Sequence, residues 1–203
     1  MKNLGLSLLA CLFLLLATDD SHAQQRLAKS IKAPSIALKD VTGEKVNLQT
    51  MTKGDKKVLI CFFRPVWCPI CNHRTHELIG RYKELQEKGI DVIAVYPSKQ
   101  ETMAQYVKDA KIPFTVISDP DEVLYKKYSI ERSMAKAQKT MTQEGIKDVI
   151  QKGMAAYKGK SYPKKDDKYT AIINADFLIG AKRAVEVAYY GEYVGDHYNL
   201  DKL

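Results

Sequence analysis

The chain is sparing with the residues that build disulfide scaffolds and flexible linkers. Its 203 residues include four cysteines, one tryptophan, seven prolines and eleven glycines. No internal repeat, low-complexity tract or Pro/Ser/Gly-rich linker divides it, so nothing marks a seam for a second domain at this length. No apolar run reaches the ~20 residues that span a bilayer. No long block of one charge sign occurs either. The net charge of +8 is spread over lysines interleaved with acids, as in Lys83-Glu84 and Glu87-Lys88. Residues 158–168 are locally basic but contain Asp166 and Asp167. A solvated face accounts for them better than a nucleic-acid footprint. With 45% hydrophobic and 28% charged residues, the chain can bury a core without disulfide staples.

What is present begins with a leader. Lys2 supplies a positive start, residues 4–17 are mostly apolar, and Ser21-His22-Ala23 places small residues before Gln24. This is the pattern of a signal peptide, residues 1–23, cleaved after Ala23. It predicts export, to the periplasm, with residues 24–203 as one domain. Two alternatives keep the chain on a membrane: an uncleaved N-terminal tether, or lipidation of Cys11 within Leu8-Leu9-Ala10-Cys11. An exported protein rarely meets nucleic acid, so no such partner is expected.

Export leaves Cys61, Cys68 and Cys71. An odd number excludes a purely structural disulfide framework. In an oxidising compartment the redox state of a close pair has to be managed. Cys61 lies inside the apolar run of residues 58–63 and reads as a buried small hydrophobe in a strand covered on both faces.

The element order is strand–helix–strand–helix–strand, then a helical stretch and two closing strands. Short alternating segments at 35–38 and 45–48 flank a turn and read as a β-hairpin. Residues 69–88 read as a helix, with Pro69 in its first turn, a stripe of Leu78, Ile79, Tyr82 and Leu85, and Gly89 just past its end. Further strands are expected at 90–96 and 114–117, and helices at 99–110 and 122–128. Residues 133–158 keep helical spacing with a break at Gly145. The last two strands are expected at 169–173 and 183–189 around a turn near Gly180, and a frayed helical turn at 200–203. The pattern predicts an α/β fold, a central mixed sheet flanked by helices, with a helical insertion at about 133–160 before the last two strands.

The sharpest local feature is Phe63-Arg64-Pro65-Val66-Trp67-Cys68-Pro69-Ile70-Cys71, where a buried strand ends and a helix begins. Helix N-termini carry partial positive charge and unpaired N–H groups, which favour thiolate over thiol. The C-x-x-C spacing permits a small-ring disulfide that opens and closes without moving the fold. The site is therefore expected to hold its sulfurs close together and within reach of solvent. Arg64 stands where its guanidinium would stabilise a thiolate or an anionic oxygen, unless it is simply solvated. Trp67 would either shield the first sulfur or pack in the core. A structural zinc site needs four ligands, and only His73 and His76 are at hand to join the pair. Their helical spacing lets the two face together, but Cys68 sits about a turn or more away and would have to fold back, and both read as exposed surface. No metal or cofactor is expected.

The stretch FRPVWCPIC resembles the peroxiredoxin-like branch of the thioredoxin superfamily, the alkyl hydroperoxide reductase/thiol-specific antioxidant group. The resemblance continues through IDVIAVYPS, FTVISDPDEVLYKKYSI and YYGEYVGDHYNL. It implies a thioredoxin-like fold and an antioxidant thiol oxidoreductase acting on peroxides or protein disulfides, with an external thiol as electron donor. It leaves oligomeric state open. On the family's Pro-x-x-x-Thr-x-x-Cys motif the peroxide-reactive cysteine falls on Cys71, with Cys68 at the Thr position and Arg64 at the Pro position. In thioredoxins the first cysteine of the pair attacks, here Cys68. Relatives that exchange disulfides place a cis-proline just before the strand facing the cysteines. Residues 166–170, before the expected strand at 169–173, contain no proline. A second active-site arginine is not evident there either. Loss of these features is what the alternative reading needs: a thioredoxin-fold module that binds a metal or a partner without catalysis.

Overall fold

Strand β1 (Lys57–Phe62) is the axis of the molecule, and its composition explains why. Its apolar residues alternate between two cores. Leu59, Cys61 and then Phe63 enter one; Val58, Ile60 and Phe62 enter the other. A strand apolar on both sides is stable only between two covered faces. The computed structural model describes residues 25–157, 159–162 and 171–203. The leader, Cys11, Pro163 and most of the locally basic stretch lie outside the described residues.

The sheet has the order β3-β2-β1-β4-β5. β1 pairs in parallel with β2 (Ile90–Tyr96), and β2 in parallel with β3 (Thr115–Ser118). β4 (Ala175–Ile179) runs antiparallel to both β1 and β5 (Val185–Tyr190). The sheet is thus mixed, as expected. α1 (Leu48–Met51) precedes β1, α2 (Pro69–Glu87) follows it, and α3 (Gln100–Ala110) and α4 (Val123–Lys127) flank β3. α2 ends where Gly89, at φ +73°, returns its N–H to Gln86 at 2.9 Å. Among the described residues no helix is long and apolar enough to cross a membrane.

Three expectations are corrected. The hairpin at 35–48 contracts to one bridge, Lys39 to Lys45, because Asn47 caps α1 and turns Leu48 into a helix. The helical stretch at 133–158 divides into α5 (Met134–Lys139), a 3-10 turn at Thr140–Thr142, and α6 (Ile146–Ala156). Its break falls at Gly145, at φ +72°, as the sequence indicates.

The strand expected at 169–173 lies instead at β4. Of the expected segment, residues 169 and 170 fall outside the described part, and Ile172 makes only a bridge to Arg132. Asp176, inside β4, is fully buried, and its carboxylate is satisfied there. It accepts from Tyr198 N at 2.7 Å and contacts His197 Nδ1 at 3.0 Å.

Candidate active site

Cys68 is the N-cap of α2, Pro69 opens its first turn, and Cys71 follows in that turn. The strand end delivers Phe63 and Arg64 beneath them. The chain between is pinned by Cys68 N donating to Pro65 O at 2.9 Å and Val66 N donating to Ser98 Oγ at 2.9 Å. The structure therefore brings together Arg64, Trp67, Cys68, Pro69 and Cys71. Both cysteines are free thiols.

The two sulfurs face each other and differ in charge preference. The Cys71 thiol donates to Cys68. With the Arg64 guanidinium nearby, this outweighs burial and lowers the Cys68 pKa to about 6. Arg64 Nη1 lies 3.9 Å from the Cys68 sulfur. The N–H groups of Ile70 and Cys71 act in the same sense at the helix start, without a full capping bond. Cys71 behaves oppositely. Burial, then the neighbouring Cys68, push its thiol well up, although Arg64 N reaches its sulfur at 3.4 Å.

One expectation fails here. The sulfurs are not open to solvent: Cys68 is 2% exposed and Cys71 0%. The cover is α6. Its Gly153 lies so close to Pro69 that a Cβ there would meet the Pro69 carbonyl oxygen at 1.9 Å. Asn72 Nδ2 donates to Gly153 O at 2.6 Å, and Tyr157 OH donates to Val66 O at 2.6 Å. Tyr157 also joins Trp67, Pro69, Met154 and Tyr162 around an open cleft of about 440 Å3 beside the first turn of α2. Trp67 is half-buried there.

Asn174, just before β4, is a site residue that the sequence reading missed. It immediately precedes β4, and among the described residues no peptide bond is cis. Its Nδ2 donates to Phe62 O at 3.0 Å and lies 3.8 Å from the Cys71 sulfur, and its Oδ1 accepts from Gly195 N at 2.9 Å. A strand assigned six residues too early hid it.

His73 and His76 are half-buried rather than exposed. His76 Nδ1 contacts Asn72 O at 2.9 Å, and burial lowers the His73 pKa. Neither joins the cysteines: among the described residues no three His, Cys, Asp or Glu side chains converge as metal ligands. Cys61 is core, as expected, but its thiol also bonds Asp176. Burial and that carboxylate hold its pKa well above the ordinary value.

Residues 30–188 match the AhpC/TSA family. Peroxiredoxin Bcp of Escherichia coli K12 is 30% identical over 98 residues, 48% of this chain and 62% of that protein. The chloroplastic Peroxiredoxin Q of Sedum lineare is 26% identical over 105 residues, 52% of this chain and 55% of that protein. The matched region thus spans less than two thirds of the length of these relatives. The fold is similar to Peroxidoxin BcpB from Mycobacterium tuberculosis, with TM-score 0.60 and 15% identity over 84% of this chain and 90% of that one. It is also similar to Peroxiredoxin Q from Xanthomonas campestris, with TM-score 0.55 and 14% identity over 80% of this chain and 88% of that one.

Proposed function

The chain belongs to the AhpC/TSA family, and from that premise we propose that it is a thiol-dependent peroxidase whose redox pair is Cys68 and Cys71. One observation carries the reading. Two touching sulfurs share the first turn of α2, one held as thiolate with a pKa of about 6 and the other held as thiol.

At neutral pH the Cys68 thiolate attacks the terminal oxygen of a hydroperoxide. The O–O bond breaks, Cys68 becomes a sulfenic acid, and the departing alkoxide or hydroxide takes a proton from solvent. Arg64, beside Cys68, offsets the negative charge on that oxygen. Cys71 then attacks the sulfenic sulfur, releasing water and closing the disulfide. Two thiols of an external donor reduce it and leave as their own disulfide.

The family's Pro-x-x-x-Thr-x-x-Cys motif, laid on the sequence, points to Cys71 as the attacking sulfur; the charge distribution favours Cys68. The cover formed by α6 favours a small peroxide over a protein disulfide, whose bulk must reach the sulfur itself. We also propose that residues 1–23 direct export to the periplasm, on the strength of Lys2, the apolar run and the small residues before Gln24. A periplasmic form beginning at Gln24 is expected by mass spectrometry. An intact chain retained in the cytosol would contradict export.

Hydrogen peroxide consumption coupled to thiol oxidation tests the mechanism. Cys71→Ser should accumulate a sulfenic acid on Cys68, trapped by a cyclic diketone probe. Cys68→Ser should be inactive. A sulfenic acid trapped on Cys71 in an active Cys68→Ser would reverse the roles. Full activity in both variants would end the proposal.

A further inference from the structure

The second half of the redox cycle asks of Cys71 what the reduced site opposes. Cys71 must give up its thiol proton before its sulfur can attack the Cys68 sulfenic acid. It has no exposed surface, so water cannot solvate the thiolate that forms. In the reduced protein its pKa stands well above the ordinary value. Burial is the first cause, and Cys68, which takes its hydrogen bond and repels a second negative charge, is the next. Oxidation of Cys68 to a neutral sulfenic acid removes that repulsion. Burial remains, so the protein itself has to supply donors to the new thiolate.

Two donors already face the Cys71 sulfur: Arg64 N at 3.4 Å and Asn174 Nδ2 at 3.8 Å. The other partners of Asn174 fix which way its amide points. Oδ1 accepts from Gly195 N at 2.9 Å, and Nδ2 donates to Phe62 O at 3.0 Å. A backbone N–H can only donate and a carbonyl can only accept, so a flipped amide would lose both bonds. Phe62 O uses one Nδ2 hydrogen, and the other is left for the sulfur. The residue itself is held in place. It is 1% exposed, its carbonyl accepts from Gly191 N at 2.9 Å, and Ala175 beside it is paired with Phe62 in the sheet. Gly195 packs so tightly on Ile70 that a Cβ there would meet Ile70 Cγ2 at 2.5 Å. The loop that holds the amide is thus seated on the turn of α2 that carries the sulfurs. A contact of 3.8 Å is long for a thiol, but an ionised acceptor binds more strongly and at shorter distance.

Resting on the reading of Cys71 as the resolving sulfur, we propose that Asn174 is a catalytic residue of disulfide closure, its amide N–H stabilising the Cys71 thiolate that attacks Cys68. In that step Cys71 loses its proton and the S–S bond forms as the S–O bond of the sulfenic acid breaks. The departing hydroxide and the proton leave as water. The attack on peroxide asks nothing of Asn174. Of the other groups within electrostatic reach of Cys71, Arg64 favours its ionisation. The Tyr96, Tyr106, Tyr125 and Tyr157 phenols are kept protonated by burial.

Single-turnover kinetics with stoichiometric hydrogen peroxide separate the two steps, sulfenic acid on Cys68 and then loss of both thiols. Asn174→Asp keeps the shape and the acceptor for Gly195 N, but has at most one hydrogen to give, and Phe62 O takes it. Closure should slow about three- to tenfold, with the first step unchanged. The fall is smaller than the loss of thiolate, because the less acidic thiol gives the stronger nucleophile. In Cys68→Ser, the pH midpoint of the Cys71 Cβ carbon resonance should rise by about one pH unit or more when Asn174→Asp is added. Asn174→Ala, which adds no acid, should move both readouts the same way. With Asn174 intact, its side-chain amide protons should shift with the Cys71 titration in Cys68→Ser, a reading that needs no change at Asn174. Unchanged closure in a folded variant, or amide protons indifferent to Cys71, would overturn the proposal. So would a slower first step with closure unchanged, which would assign Asn174 to the attack on peroxide. If peroxide closes no disulfide in the wild type, the peroxidase reading fails by itself. The Cys71 titration then decides whether Asn174 stabilises that thiolate.

Discussion

The two faces of one sheet are built differently. The face carrying Val58, Ile60 and Phe62 is closed by Leu124, Tyr125, Tyr128 and Phe177, with Phe62 edge-on to both Tyr125 and Phe177. The other face receives Cys61, Asn174 and Asp176 from the same central strands, and α2 lays Cys68, Cys71 and Arg74 over it. Alternation along β1 and β4 is what separates them, since successive side chains point to opposite faces. One face supplies cohesion through apolar burial. The other accepts buried thiols, a carboxylate and a guanidinium, and uses mutual hydrogen bonding to make them tolerable.

Substitutions on the two faces should therefore have separable consequences. The largest effect is expected from Cys68→Ser, which should bring peroxide turnover to background while leaving thermal stability near wild type. Phe62→Ala, on the apolar face, should cost about 3–5 kcal/mol in denaturant unfolding and leave the Cys68 pKa unchanged. A shifted pKa in that variant would break the separation. Gly153→Ala drives a methyl group into the Pro69 carbonyl, so α6 should lift. Alkylation of Cys68 should then speed severalfold, at a stability cost of about 1–3 kcal/mol. Cys71→Ala removes the hydrogen bond that contributes most to the acidity of Cys68. Its pKa should climb from about 6 toward the ordinary thiol value near 8.5. Arg64→Gln should raise it by less, because Arg64 ranks behind Cys71 among the groups that lower it.

The sequence was most readable where structure is local. A six-residue apolar run sufficed for β1. Pro69 and Gly89 bracketed α2, and the 90–96 strand fell on the residues expected of it. Reading failed where a residue's partner is remote in sequence. The strand expected at 169–173 falls at β4, where Asp176 is satisfied by His197 and Tyr198, about twenty residues later. Asn174 went unnoticed for the same reason, displaced with its strand. The first turn of α2 was legible as a place for a reactive thiol, but not the burial of both sulfurs. That depends on Gly153 and Tyr157 folding back across more than eighty residues. Nor could spacing say which sulfur is the acid, since the answer lies in which thiol donates to which.

The central claim is that the mutual contact of the two sulfurs, with Arg64 beside them, makes Cys68 the thiolate. The pH dependence of thiol alkylation in the reduced protein, with the modified residue identified by mass spectrometry, addresses it directly. A group whose pKa is lowered gains reactivity as pH rises through the lowered value. Modification at Cys68 first, with a midpoint near pH 6, is the predicted result. Modification at Cys71 first, or a midpoint near the ordinary value of about 8.5, would contradict it.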